Sequence, residues 1–127
     1  MKILLDTHIF LSYISADRRL AFSVRDAILD GTNEVFLSAA SVWEIIIKSQ
    51  LGKLPLPEPA ETYIPRERSA HLIASLPVDE DSVKRLARLP AHHRDPFDRL
   101  LVAQALEHGC KLATVDPQIR AYPVGLL

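Results

Sequence analysis

The chain has 127 residues, of which 48% are hydrophobic and 24% are charged, a composition that suits one folded domain with its own core. Its 15 basic and 16 acidic residues leave a formal net charge of −1, so binding of nucleic acid would need a local basic patch. The single cysteine, Cys110, excludes an intramolecular disulfide framework and a cysteine-rich zinc site. No apolar run reaches the roughly 18 residues of a membrane span. The start of the chain does not resemble a signal peptide, and we expect a cytoplasmic protein without a membrane partner.

Apolar runs and helical periodicity predict strands that alternate with helices along the chain. The predicted strands cover residues 2–5, 34–37, 71–76, 111–115 and, at the edge of the sheet, 122–126. The predicted helices begin at Thr7 and then cover 17–29, 38–51, 58–69 with an interruption near Pro65, 79–89, 96 to about 107, and a turn at 116–117. This order predicts an α/β fold, a three-layer α/β/α sandwich with a central, mostly parallel sheet. Residues 1–127 are predicted to form a single domain.

Four acidic residues stand where such a fold would place a ligand. Asp6 directly follows the first predicted strand, and Asp116 follows the strand at 111–115. Glu44 interrupts an apolar stretch, and Asp98 lies in the first turn of the helix that begins at Pro96. Ligands of parallel sheets collect outside the carboxyl ends of the strands. Carboxylates that converge there repel one another unless a cation holds them, and Mg²⁺ and Mn²⁺ are the oxygen-seeking cations to expect.

Each of these acids also has a purely structural interpretation. Asp6, Asp95 and Asp116 are all suited to cap the helices that follow them. For Asp95, two interpretations remain open: it only caps the helix, or it also binds a second metal ion or contacts the residues that hold the metal. Asp98 would lie at the third position of its helix, where a carboxylate opposes the helix dipole.

Glu44 has two structural alternatives. With Ser41 it fits a capping box, but Ser38 is an equally good N-cap and would place Glu44 nearly two turns into the helix. Lys48 lies one turn further on and could simply pair with it. Because a carboxylate flanked by Trp43 and isoleucines is costly to bury without a partner, we favour a metal ion or its bound water as that partner.

Several neighbouring residues are predicted to contact a substrate or the metal's bound water. Thr114 shares a strand face with Asp116, and Arg94 and Arg99 flank the acids and could hold phosphates, although solvated surface charge explains them equally well. His92 and His93 are adjacent in a polar loop and lack convergent geometry, so substrate contact or plain exposure is favoured over zinc binding. The secondary set is Asp95, Thr114, Thr7, Arg94, Arg99 and His92.

Four motifs together identify a family. They are LLDTH at 4–8, SAASVWEI at 38–45, HHRDPFDRLLVAQA at 92–105 and TVD at 114–116. The sequence resembles the PIN-domain ribonucleases, specifically the VapC-like toxins of bacterial type II toxin–antitoxin pairs, over essentially the whole chain. The family's catalytic and metal-binding acids fall by position on Asp6, Glu44, Asp98 and Asp116. Asp95 matches an extra acid of this subgroup, and Thr114 matches its usual hydroxyl neighbour.

The resemblance implies a homodimeric endoribonuclease that depends on Mg²⁺ or Mn²⁺ and hydrolyses RNA with a metal-activated water. Such a reaction leaves a 5′-phosphate and a 3′-hydroxyl. It further implies an antitoxin that blocks the site and through which the pair binds operator DNA. We expect the antitoxin to contact Phe10, Tyr13 and Phe22, unless those residues belong to the core.

Three other functions fit parts of the sequence. A receiver-like signalling domain has a similar length and an acidic Mg²⁺ pocket, but it needs a lysine where Asp116 stands. A non-catalytic RNA- or protein-binding module would not need all four acids. A nuclease of the same superfamily that acts on DNA would differ only in its substrate.

Overall fold

A parallel sheet of four strands forms the centre of the computed structural model, which describes residues 1–127. The strands are β1 (Lys2–Leu5), β2 (Glu34–Ser38), β3 (Ala74–Leu76) and β4 (Lys111–Ala113). They lie in the order β3-β2-β1-β4. Leu5, the last residue of β1, pairs with Leu37 on one side and Ala113 on the other. The chain therefore leaves these three strands at the same edge of the sheet.

Helices connect the strands and cover both faces of the sheet. They are α1 (Thr7–Ile14), α2 (Phe22–Leu29), α3 (Ala39–Gln50), α4 (Ala60–Ala70), α5 (Glu80–Arg85), α6 (Pro96–His108) and α7 (Pro117–Arg120), with a short 3₁₀ helix at Leu86–Arg88 after α5. Gly109 ends α6 with a φ of 67°, a left-handed conformation that glycine adopts without strain. None of the helices combines the length and the hydropathy that a membrane span requires.

The side chains of β1 divide between two hydrophobic clusters. Ile3 and Leu5 belong to one cluster, which includes Phe10, Ile45 and Ile64 from the helices. Leu4 points the other way, into a second cluster with Leu101 and Val102 of α6 and Ile119 of α7. Because successive strand residues face opposite sides, this division makes β1 the buried centre of three layers. The predicted α/β/α fold with a parallel sheet is confirmed.

Two predicted elements begin later than the sequence indicated. The helix predicted from residue 17 begins at Phe22, because the carboxylate of Asp17 accepts the backbone N–H of Arg19 and closes a turn there. The strand predicted from residue 71 begins at Ala74. Leu72 has a φ of 58°, and the N–H of Ile73 bonds to the carbonyl of Arg68. These residues thus close the end of α4 before the strand can start.

Three further boundaries differ from the prediction. Pro65 does not interrupt α4, which runs through it. The strand predicted to reach residue 115 ends at Ala113. The predicted edge strand at 122–126 is reduced to one parallel bridge between Leu126 and Leu112. Phe10, expected as an antitoxin contact or as core, is fully buried, whereas Phe22 is 77% exposed.

Candidate active site

The carboxyl edge of the sheet brings the first and last acids together. Asp6 and Thr114 directly follow the paired residues Leu5 and Ala113, and the N–H of Asp6 donates to the carbonyl of Ala113 at 3.0 Å. The Thr114 hydroxyl accepts the N–H of Asp116 at 3.1 Å. The parallel pairing of β1 with β4 thus places Asp6 and Asp116 beside each other, as the sequence predicted.

Asp6 has both of the roles considered from the sequence. Its Oδ1 accepts the N–H of Ile9 at 2.7 Å and caps α1. The residue is only 3% exposed, and this burial raises the pKa of its carboxyl, against the lowering effect of hydrogen bonds from Thr114 and Ile9. The charge of Asp116 also raises this pKa. Capping therefore explains one oxygen of Asp6, while the carboxylate as a whole remains in a setting that favours a cation.

Glu44 lies inside α3 because Ser38 caps that helix, with its Oγ accepting the N–H of Ala40 at 3.0 Å. The capping-box alternative with Ser41 is excluded. Glu44 is 4% exposed. Its Oε1 accepts the Thr7 hydroxyl at 2.6 Å, and its Oε2 accepts Lys48 Nζ at 2.8 Å. Burial of Glu44 therefore does not by itself indicate a metal ion, because Thr7 and Lys48, the latter already considered as a partner, hydrogen-bond to its two oxygens.

The N-terminus of α6 carries the third acid. Asp95 caps the helix through its Oδ1, which accepts the N–H groups of Phe97 at 2.8 Å and Asp98 at 3.4 Å. Asp98 lies in the first turn. Burial, followed by the charges of Asp95 and Glu44, raises the pKa of Asp98 to about 6. Asp98 is thus held among other carboxylates that a cation would neutralise.

His93 was missed as a site residue from the sequence. Its Nε2 lies 3.0 Å from Asp98 Oδ2 and 3.1 Å from Asp116 Oδ2. Partial burial acts to raise the pKa of Asp116, but hydrogen bonds from the Gln118 backbone and His93 outweigh it and lower that pKa. Two adjacent histidines in a polar loop carry no signal that separates the buried member from the exposed one. Only the fold separates them: the backbone N–H of His93 donates to the hydroxyl of Tyr122, 29 positions further along the chain, and it is the His93 ring that lies at the acids.

The structure separates the other predicted contacts into two groups. Thr7 and Thr114 lie within the acidic site, and Arg94 is exposed at a groove of about 380 Å³ that also includes Glu44, Lys48 and Phe97. His92 is exposed and packs edge-on against Tyr122. Arg99 does not point to the acids. Its guanidinium donates to the carbonyls of residues 90 and 86 and to the hydroxyl of Tyr122, which makes it a brace for the loop before α6.

A larger cleft of about 500 Å³ lies elsewhere. Asp81, Lys84, Arg88 and Glu107 are among its lining residues, and none of the four acids borders it. Cleft size alone would therefore not lead to the acids. The chemistry is concentrated in the smaller groove and at the sheet edge, where the carboxylates are.

The carboxylates at the edge fit a divalent cation. Nε2 of His93 and carboxylate oxygens of Asp98 and Asp116 lie within 4.8 Å of one another. The charge of Asp116 acts on the pKa of Asp6, and the charge of Glu44 acts on that of Asp98, so Asp6 and Glu44 both lie near this cluster. Oxygen-rich sites of this kind suit Mg²⁺ and Mn²⁺. Two of the four predicted acids, Asp98 and Asp116, belong to the cluster itself.

Comparison with known proteins decides the family. The family model described as "PIN domain" matches residues 3–125. The chain belongs to the PIN domain family. The resemblance inferred from the four motifs is confirmed, and the receiver-like alternative is rejected.

Relatives of this PIN domain carry ribonuclease names. It is 54% identical over 41 residues to Ribonuclease VapC16 of Mycobacterium tuberculosis, a match that covers 32% of this chain and 29% of the relative. It is 26% identical over 121 residues to Ribonuclease VapC22 of the same organism, covering 94% and 91% of the two chains. Among solved structures, it is similar to a chain of VapBC2 from Rickettsia felis bound to a promoter DNA fragment. That match has a TM-score of 0.74 and 14% identity, and it covers 100% of this chain and 97% of the other.

Proposed function

We propose that this PIN domain is a metal-dependent endoribonuclease and the toxin of a type II toxin–antitoxin pair. The observation that carries the proposal is the convergence of Asp6, Glu44, Asp98 and Asp116 at one end of the sheet, two of them with a raised carboxyl pKa. The ribonuclease names of the relatives support the activity. A non-catalytic binding module would gain nothing from carboxylates that repel one another.

The four acids would share the work of holding Mg²⁺ or Mn²⁺. Asp6, Asp98 and Asp116 would bind the ion directly or through water, and Glu44 would complete the ligand set or orient the attacking water. A divalent ion held there would supply positive charge beside the scissile phosphate and activate a water for hydrolysis. Hydrolysis of this kind would leave a 5′-phosphate and a 3′-hydroxyl on the RNA fragments.

The groove beside Glu44 is the proposed path of the RNA strand. Arg94 is exposed there, and Lys48 also lines the groove. Trp43, which is 60% exposed, packs edge-on against Phe97 at the same place, with 5.1 Å between the ring centroids. Cationic side chains bind phosphates, and an exposed aromatic ring stacks with unpaired bases. The groove therefore offers contacts for a single RNA strand, and no basic surface elsewhere on the protein is needed.

The proposed partners follow from the family. An antitoxin would cover the site, two copies of the chain would form a homodimer, and operator DNA would be bound only through the antitoxin. A solved similar structure is a VapBC pair on promoter DNA, which supports this assignment. We place the activity in the cytoplasm, where RNA is the available substrate, and we treat residues 1–127 as one PIN domain.

The test is cleavage of total cellular RNA by purified, antitoxin-free protein in Mg²⁺ or Mn²⁺, in EDTA, and with Asp98→Asn. A matched control is Asp81→Asn, because Asp81 is an exposed acid of α5, away from the cluster. We expect discrete fragments with the unsubstituted protein and with Asp81→Asn only, and 5′-phosphate ends on sequencing.

Three results would contradict the proposal. Cleavage that persists in Asp98→Asn would mean that the site is elsewhere, and ends carrying 2′,3′-cyclic phosphate would mean a metal-independent mechanism. RNA that is bound but never cut in either metal would identify a binding module. Parallel reactions with single-stranded DNA separate a ribonuclease from a DNA-directed nuclease of the superfamily.

A further inference from the structure

His93 occupies the centre of the acidic cluster although it is not one of the four acids. Its side chain is 11% exposed, and its Nε2 faces Asp98 Oδ2 at 3.0 Å and Asp116 Oδ2 at 3.1 Å. Its backbone N–H donates to the hydroxyl of Tyr122 at 3.0 Å, and Tyr122 is 4% exposed. The ring is therefore held at the site from the backbone side as well.

The other ring nitrogen shows where the proton of His93 resides. The backbone N–H of Asp95 donates to His93 Nδ1 at 3.1 Å. A nitrogen that accepts a hydrogen bond has no proton of its own, and a neutral imidazole carries one proton on the other nitrogen. Nε2 is therefore the protonated nitrogen. It donates to Asp116 Oδ2, and Asp98 Oδ2 lies 3.0 Å from the same nitrogen.

A histidine among carboxylates can either bind a metal ion or donate a hydrogen bond, and the position of its proton distinguishes these two roles. To bind a metal ion through Nε2, the ring would have to move its proton to Nδ1. That proton would then meet the N–H of Asp95, and two donors would face each other across 3.1 Å. To donate through Nε2, the ring needs no rearrangement. The backbone at Asp95 thus favours the donor role over the ligand role.

We propose that His93 is a positioning residue, whose Nε2–H holds the carboxylate of Asp116 beside that of Asp98 for the cation, without His93 itself binding the cation. This inference rests on the proposed metal-dependent function. Asp116 is partly exposed, with 33% of its side-chain surface accessible, so its carboxylate can turn into solvent when the donor is removed. Hydrogen-bond partners of metal ligands orient those ligands and raise metal affinity.

Two substitutions and a control isolate the donor. His93→Leu removes the N–H, whereas His93→Gln keeps an amide N–H near the place of Nε2. His108→Leu is the matched control, since His108 Nε2 pairs with Asp79 Oδ1 at 3.0 Å at the opposite end of α6. Mn²⁺ affinity, measured on the full chain by electron paramagnetic resonance, should fall about 10–100-fold in His93→Leu. It should largely recover in His93→Gln and stay unchanged in His108→Leu. Thermal unfolding in EDTA shows which variants are folded.

Nitrogen-15 NMR of the metal-free protein tests the tautomer directly. We expect a protonated Nε2 and an unprotonated Nδ1 for His93, a pattern that persists on addition of diamagnetic Mg²⁺. A protonated Nδ1, nitrogen coupling to bound Mn²⁺ in pulsed resonance spectra, or full Mn²⁺ affinity in folded His93→Leu would overturn the role of His93 and leave the proposed function standing. Absence of any Mn²⁺ binding by the unsubstituted protein would instead overturn the proposed function.

Discussion

The hydroxyl of Thr7 donates to Glu44 Oε1 at 2.6 Å and joins the first turn of α1 to the middle of α3. Both residues are 4% exposed, and the Ser41 hydroxyl lies 3.0 Å from the same Thr7 oxygen. The bond crosses the carboxyl ends of β1 and β2, from which these two helices start. It fixes the position of Glu44 relative to Asp6, the residue that precedes Thr7.

Replacement of Thr7 by valine keeps the shape of the side chain and removes the donor. We expect Thr7→Val to destabilise the protein by about 1–3 kcal/mol, since a buried carboxylate loses a hydrogen bond, and to reduce RNA cleavage through misplacement of Glu44. Urea unfolding measures the first effect. Thr62→Val on the exposed side of α4 is the control and should change stability by no more than about 0.5 kcal/mol. Equal stabilities of the two variants would show that the Thr7–Glu44 bond has no net value.

Lys48 neutralises Glu44 in the absence of a metal ion. Its Nζ lies 2.8 Å from Glu44 Oε2, and this hydrogen bond raises the pKa of Lys48. We expect Lys48→Gln to destabilise the metal-free protein by about 1–2 kcal/mol, because Glu44 stays buried without its counter-charge. Saturating Mn²⁺ should then raise the melting temperature of Lys48→Gln more than that of the unsubstituted protein. A smaller rise in the variant would mean that Glu44 does not face the ion. Lys84→Gln, at an exposed ion pair of α5, is the control.

Arg94 and Arg99 should behave differently although they lie only five positions apart in one motif. Arg99 braces the loop before α6 through Tyr122 and two carbonyls, so Arg99→Ala should lower stability by about 1–3 kcal/mol. Arg94 is exposed at the groove, so Arg94→Ala should weaken RNA binding with little change in stability. RNA affinity is measured in the Asp98→Asn background, and stability by urea unfolding. If Arg99→Ala instead weakened RNA binding without loss of stability, Arg99 would be a substrate contact.

The stability of the metal-free protein should depend on pH through Asp98. Burial and the neighbouring carboxylates raise its pKa from 3.8 to about 6 in the folded state, so the folded state binds this proton more tightly than the unfolded chain. The resulting stabilisation is complete below pH 3.8 and is lost as the pH rises through about 6. In EDTA at pH 7.5, Asp98→Asn should be more stable than the unsubstituted protein by about 1 kcal/mol. This is less than the full pKa shift would give, because Asp98 is partly exposed and solvent screens its charge. The difference should shrink towards pH 4.

Saturating Mn²⁺ provides the control for that measurement. The ion compensates the charge of Asp98, so the unsubstituted protein should become the more stable of the two at pH 7.5. Asp98→Asn that is less stable in EDTA at pH 7.5 would show that the carboxylate is not under electrostatic stress.

The sequence by itself determined the layered fold and the place of the acids. Alternation of apolar runs with helical periodicity is a local pattern, and in a parallel sheet it forces the strand ends to one edge. Asp6 and Asp116 could be assigned to that edge because each directly follows a strand. The helix caps Ser38 and Asp95 were also predictable, since capping depends on a few neighbouring residues.

Only the tertiary structure decided which partner each side chain at that edge contacts. Glu44 meets Thr7 through the pairing of β1 with β2, and His93 rather than His92 reaches Asp98 and Asp116. Arg99 turns away to Tyr122. The contacts of Glu44 with Thr7, of His93 with Asp116 and of Arg99 with Tyr122 join residues 23 to 37 positions apart in the chain. The contact of His93 with Asp98 is short in sequence but selects one of two adjacent histidines. Periodicity and capping act over a few residues, so such choices depend on the packing of the whole domain.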